Sequence, residues 1–185
     1  MKRVGVLALQ GDFEAHRKAI ERAGAAAVEV RTAAELDSVA GLVIPGGEST
    51  TMLKLLDLEN LFEPLREFGL RKPVFGTCAG AILMARTVTG PEQRSLGLMD
   101  LVVERNGYGR QLDSHVARIA GAGFDEFEAV FIRAPIIRSV GPSVRVLATY
   151  RDAPVLVEEG RRLAATFHPE LTGDLRIHRL FLEKL

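Results

Sequence analysis

The chain has 185 residues, 47% of them hydrophobic and 26% charged, which fits one domain of ordinary size, residues 1–185, with a full hydrophobic core. That composition excludes a disordered chain and a membrane-embedded one. Its 24 Lys and Arg balance 24 Asp and Glu, so charge gives no reason to expect a nucleic-acid or anionic-membrane partner.

After Met1-Lys2-Arg3, the apolar run 4–9 is too short for a secretory signal, and nothing approaches the roughly 18 apolar residues of a bilayer span. One cysteine can form neither an internal disulfide nor a thiolate-rich metal site. A cytoplasmic protein with a reduced thiol is expected, with neither a metal nor a cofactor.

In chain order, residues 3–9 predict a first strand. Ala15, Ala19, Ile20 and Ala23 then share one helical stripe that stops at Gly24. Strands follow at 26–30 and 41–45, and Pro45-Gly46-Gly47-Glu48-Ser49 turns into a helix beginning near Thr50 or Thr51. A fourth strand at 72–76 precedes a short helix at 79–86. From Leu98 onward the runs 101–105, 116–120, 129–132, 144–150, 154–158 and 162–167 are strand-like with few helices between them, and 174–185 is an amphipathic helix. The pattern predicts an α/β fold of three layers, a mostly parallel sheet flanked by helices with an antiparallel extension.

Cys78 lies in Gly76-Thr77-Cys78-Ala79-Gly80, between a strand and a helix. This is a Gly-x-nucleophile-x-Gly elbow with cysteine as the nucleophile. The tight turn holds the residue in strained geometry, and the helix directs its N-terminal amides at the sulfur. Taken alone, the same residue is equally well a small buried hydrophobe.

A cysteine nucleophile needs a base and a group that orients it. Of four histidines, His16 and His178 sit among charged helix neighbours and are expected to be solvated or satisfied locally. His115 cannot be ranked by spacing. His168 ends a strand and would stand on the same rim of an open sheet as Cys78, with Glu170 two residues on to hold the imidazole. Gly46 and Gly47 leave backbone amides uncovered for a developing oxyanion, where one donor lowers the barrier by roughly 3 kcal/mol. The alternative is a plain turn whose helix is capped by Ser49. Arg105 and Arg133 each end an apolar strand; facing the site, either guanidinium could clamp the carboxylate of an amino acid.

Together these residues resemble class I glutamine amidotransferase domains. A closer similarity, covering nearly the whole chain, is to the glutaminase subunits of pyridoxal 5′-phosphate synthases. It rests on Leu7-Ala8-Leu9-Gln10-Gly11, residues 45–52, residues 76–80, Arg105-Asn106-Gly107-Tyr108-Gly109-Arg110-Gln111, Phe131-Ile132-Arg133-Ala134-Pro135 and His168-Pro169-Glu170-Leu171-Thr172. The resemblance implies that Cys78, His168 and Glu170 hydrolyse L-glutamine through a thioester. It implies glutamine contacts from Gly46, Gly47, Glu48, Arg105, Ile132 and Arg133, and a place for Gln10 near the oxyanion loop where the synthase subunit docks. It further implies ammonia passing to that subunit, in complexes of up to twelve plus twelve chains, with low activity in its absence. One departure is Ser114 followed by His115 and Val116, where the family commonly has Phe and Glu. Competing readings are an amidotransferase domain of another pathway, a cysteine peptidase or related stress protein, and a non-catalytic binding module.

Overall fold

The computed structural model describes residues 2–107 and 114–185. The family-like stretch Tyr108-Gly109-Arg110-Gln111 lies outside the described residues.

Seven strands form the central sheet. They are β1 (Arg3–Leu7), β2 (Ala26–Val30), β3 (Gly41–Ile44), β4 (Val74–Thr77), β10 (Arg145–Tyr150), β11 (Ala153–Glu159) and β12 (Arg162–Ala165), in the order β10-β11-β12-β4-β3-β1-β2. From β12 to β2 every pairing is parallel, and β11 is antiparallel to both of its neighbours. The expected mostly parallel sheet with an antiparallel extension is therefore present.

The central strands are apolar throughout because both faces are buried. Leu42 and Ile44 pack into one hydrophobic cluster while Val43 between them packs into the other. Val74 and Phe75 divide in the same way, as do Ala164 and its neighbours Leu163 and Ala165. Helices α3 (Ser49–Leu58), α4 (Phe62–Arg71) and α5 (Ala79–Met84) cover one face through Met52, Leu56, Leu65, Phe68 and Ala81. Helices α1 (Phe13–Arg22) and α6 (Arg176–Leu182) cover the other through Ile20, Ile177 and Phe181. The short α2 (Ala33–Asp37) begins on a capping box: Thr32 Oγ1 accepts from the Glu35 amide, and Glu35 accepts in return from the Thr32 amide.

Two smaller sheets complete the described chain. One is β5-β6-β9, from Ala85–Thr89, Met99–Glu104 and Ile136–Val140; the other pairs β7 (Ser114–Arg118) with β8 (Glu128–Ile132). Two boundaries differ from the sequence expectation. The first strand ends at Leu7 rather than residue 9, because Leu9 to Gly11 turn toward the loop after β3. The helix expected over 79–86 stops at Met84, and Ala85 begins β5, which pairs in parallel with β6. Among the described residues no helix is long and apolar enough to cross a membrane.

Candidate active site

Cys78 occupies the turn between β4 and α5 with φ 49° and ψ −106°, a conformation sparsely populated by residues other than glycine. The flanking glycines are required by close approach. A Cβ on Gly80 would lie 2.1 Å from the Ile44 carbonyl oxygen, and one on Gly76 would lie 2.6 Å from Gly80. The thiol is buried, with Sγ 3.8 Å from the Ile132 carbonyl oxygen at the end of β8.

His168 follows β12, the parallel neighbour of β4, so the two strands carry both side chains to the same edge of the sheet. Its backbone amide donates to Val130 at 2.8 Å, which fixes the loop against β8. His168 Nδ1 lies 2.6 Å from Glu170 Oε1, and Glu170 is held in a 3₁₀ turn, Pro169–Leu171. Burial alone would lower the His168 pKa. Hydrogen bonds and charge attraction from Cys78 and Glu170 outweigh it and raise the pKa to about 10. The structure thus brings the expected Cys78, His168 and Glu170 to one edge of the sheet, with the imidazole bonded to Glu170.

The loop after β3 closes over this pair. A Cβ on Gly46 would come within 2.4 Å of His168 Cε1 and 3.4 Å of Cys78 Cβ, so only glycine fits beside both. The Gly46 carbonyl accepts from the Asp12 amide at 3.1 Å. The Glu48 amide donates to Gln10 Oε1 at 2.9 Å, and a Cβ on Gly47 would meet that oxygen at 2.3 Å. Gln10 therefore lies directly against the glycine loop, as expected. The helix cap is Glu48, not Ser49: its carboxylate accepts from the amides of Thr50 and Thr51. Hydrogen bonds from Thr51 and Thr50 outweigh the effect of burial and hold the Glu48 pKa down, at about 2. Ser49 instead donates to Gln93.

The two arginines differ. Arg105 donates to Thr50 Oγ1 at 2.8 Å and lies 4.0 Å from Glu48 Oε1, at the start of α3. Arg133 follows β8 in a left-handed conformation, φ 44°, and is exposed. Ile132, half-buried, presents its carbonyl to Cys78.

His16 and His178 are neither solvated nor locally satisfied; both are fully buried. His16 Nε2 lies 3.0 Å from Thr77 Oγ1 and 3.3 Å from Glu170 Oε2, and its Nδ1 lies 3.0 Å from His178 Nε2. The sequence signal for His16 was its place on the α1 stripe with Ala19 and Ile20, the positions that α1 buries. Asp12 was also missed; its Oδ2 is 3.8 Å from His168 Nδ1. Asp12, His168 and Glu170 offer ligand atoms within 4.8 Å of one another, but Glu170 Oε1 already accepts from the imidazole. His115 stacks on Phe131 at 5.0 Å and shares no hydrogen bond with Cys78, His168 or Glu170 among the described residues. A surface hollow of about 650 Å³ reaches Glu170 from the α1 side, lined also by Ala15, Lys18, Glu21 and Arg22.

A model of the SNO glutamine amidotransferase family matches residues 6–185. The chain is 61% identical to a protein of Solibacter usitatus named pyridoxal 5′-phosphate synthase subunit PdxT, over 100% of both chains. A protein of the same name from Deinococcus radiodurans is 53% identical over 97% of this chain and 95% of its own length. Among solved structures, a glutamine amidotransferase superposes with a TM-score of 0.91 at 47% identity, covering 98% of this chain and 97% of its own. A GMP synthase subunit from Thermoplasma acidophilum, at 15% identity and a TM-score of 0.67, shares the fold. The chain belongs to the SNO glutamine amidotransferase family.

Proposed function

We propose that residues 1–185 form a single glutaminase domain that hydrolyses L-glutamine to L-glutamate and ammonia, supplying the ammonia for pyridoxal 5′-phosphate synthesis. The observation that carries this reading is the buried pair of Cys78 and His168 just beyond the ends of adjacent parallel strands, with Glu170 2.6 Å behind the imidazole. The names of the full-length relatives point to the same pathway.

In this reading Cys78 Sγ adds to the side-chain amide carbon of glutamine. The amide oxygen gains the electron pair and is held by amides of the Gly46-Gly47 loop. The His168 imidazolium gives its proton to the leaving nitrogen, the C–N bond breaks, and ammonia departs from a glutamyl thioester. Neutral His168 then takes a proton from water as that water attacks the thioester. Glutamate leaves, and Sγ is restored beside a protonated imidazole. Glu170 keeps His168 in the required tautomer throughout.

Gly46, Gly47 and Glu48 line the glutamine site with Ile132, while Arg105 and Arg133 bind the α-carboxylate. Arg105 is half-buried beside Thr50, so its guanidinium is already oriented. Gln10, tied to the Glu48 amide, sits where the synthase subunit docks and couples docking to the loop. The protein works in the cytoplasm in complexes of up to twelve plus twelve chains.

Mixing the chain with the synthase subunit, glutamine, a pentose phosphate and a triose phosphate tests this reading. Formation of pyridoxal 5′-phosphate is expected with wild type and not with Cys78→Ala. Product that forms equally well with the variant removes Cys78 from the mechanism. Sedimentation of the mixture checks the stoichiometry.

A further inference from the structure

Glu170 uses Oε1 to hold His168, and its buried Oε2 makes no hydrogen bond to any other described group, with a second histidine the nearest donor. His16 Nε2 is 3.3 Å from that oxygen, between it and Thr77 Oγ1. Behind it, His16 Nδ1 is 3.0 Å from His178 Nε2. His178 Nδ1 is buried with no hydrogen-bond partner among the described residues.

Burial holds both rings neutral. It drives the His16 pKa well below its ordinary value, helped by the charges of His178 and His168, and it lowers that of His178 to about 4, helped by Arg22. Each ring therefore carries one N–H. A carboxylate oxygen only accepts, so a bare His16 Nε2 would set one lone pair against another inside the protein. The proton belongs on His16 Nε2, set between Thr77 Oγ1 at 3.0 Å and Glu170 Oε2 at 3.3 Å. His16 Nδ1 is then an acceptor and His178 Nε2–H its donor, which leaves the bare His178 Nδ1 at the end of the chain of bonds, where no partner is found.

We propose that His16 is a positioning residue for glutamine hydrolysis: its Nε2–H, set by His178, holds Glu170 Oε2 so that Oε1 stays aimed at His168 Nδ1. The inference rests on the reading above, in which His168 and Glu170 drive the reaction. The reach is long in sequence and short in space, since His16 is on α1, His178 on α6 and Glu170 beyond β12.

Ammonia release by the assembled complex with the synthase subunit tests it, using His16→Leu, His16→Gln, Glu170→Gln and the His16→Leu/Glu170→Gln double variant. Loss of one buried hydrogen bond to a catalytic carboxylate predicts a roughly tenfold fall in kcat for His16→Leu, with the KM for glutamine nearly unchanged. His16→Gln, which returns an N–H near the same point, should recover most of that loss. In the Glu170→Gln background, His16→Leu should cost nothing further, because the two residues act as a unit. Wild-type kcat in His16→Leu, failure of His16→Gln to recover activity, or a full additional loss in the double variant would each overturn the inference and leave the glutaminase reading standing. Full activity in Glu170→Gln would overturn the inference and remove Glu170 from the mechanism, whereas no ammonia from the wild-type complex would overturn the glutaminase reading itself. If His16→Leu does not fold, imidazole 15N shifts of the wild-type chain decide: a neutral His16 protonated on Nε2 supports the proposal, and a proton on Nδ1 or a charged ring overturns it.

Discussion

The backbone amide of Cys78 donates to the carbonyl of Ala165 at 2.9 Å, so the elbow is tied to the strand that delivers His168 three residues later. This bond fixes the elbow in its left-handed geometry. A non-glycine residue there costs on the order of 1–3 kcal/mol, partly offset by the greater chain entropy that glycine loses on folding. Cys78→Gly should therefore unfold at higher denaturant than Cys78→Ala, by about 1 kcal/mol, while neither variant releases ammonia. Equal midpoints would mean that the elbow is relaxed.

Gly46 and Gly47 should respond differently to a methyl group. On Gly46 it meets His168 and Cys78, both held by the core; on Gly47, at φ 156°, it meets the movable end of the Gln10 side chain at 2.3 Å and the Gly11 backbone less closely, at 3.1 Å. Gly46→Ala is expected to reduce kcat/KM for glutamine by at least about a hundredfold, the scale of a disrupted oxyanion site. Gly47→Ala should lose less. Steady-state ammonia assays on the complex check the order, and the reverse ranking would place the critical contact at Gln10.

The histidines predict opposite pH effects on stability. The His168 pKa is raised, so its contribution is complete below about pH 6.5 and is lost as the pH rises toward 10. His178 is lowered to about 4, so burying it neutral costs stability as the pH falls from 6.5 toward 4, up to about 3 kcal/mol. The groups around His178 are His16 on its own Nε2, Arg22 on α1 and the ring of Phe75. In urea titrations His168→Asn should flatten the alkaline side of the stability profile, and His178→Leu the acid side. His168→Asn should also cripple turnover, because leaving-group protonation depends on the imidazole.

Much of the fold was legible because the central strands announce themselves. The strand expected at 26–30 is β2, and the runs at 41–45 and 162–167 contain β3 and β12. Cys78, His168 and the glycine loop were legible because an elbow, a strand end and a Gly-Gly turn leave local marks. Helix α4 was missed because Pro64 and Gly69 look like breakers, yet Pro64 falls in the first turn, where its missing N–H does no harm, and Gly69 admits Leu98 against the helix. Strand β5 was hidden because Ala85 and Arg86 extend a helical pattern, and only pairing with β6 decides their state. His16 was misjudged because its sequence neighbours are charged, while its partner His178 lies 162 positions away. Local chemistry singled out Cys78, His168 and Glu170; the histidines packed behind them depend on tertiary contacts that no local pattern carries.

Because β12 is inserted between β11 and β4, the order of synthesis matters. A nascent chain makes its thiol early, on a strand whose neighbour on one side does not yet exist. Until the final segments emerge, Cys78 has no Ala165 carbonyl to fix its turn and no imidazole beside it. The surroundings of Cys78 are thus completed only by closure of the sheet, when β12 pairs with β4.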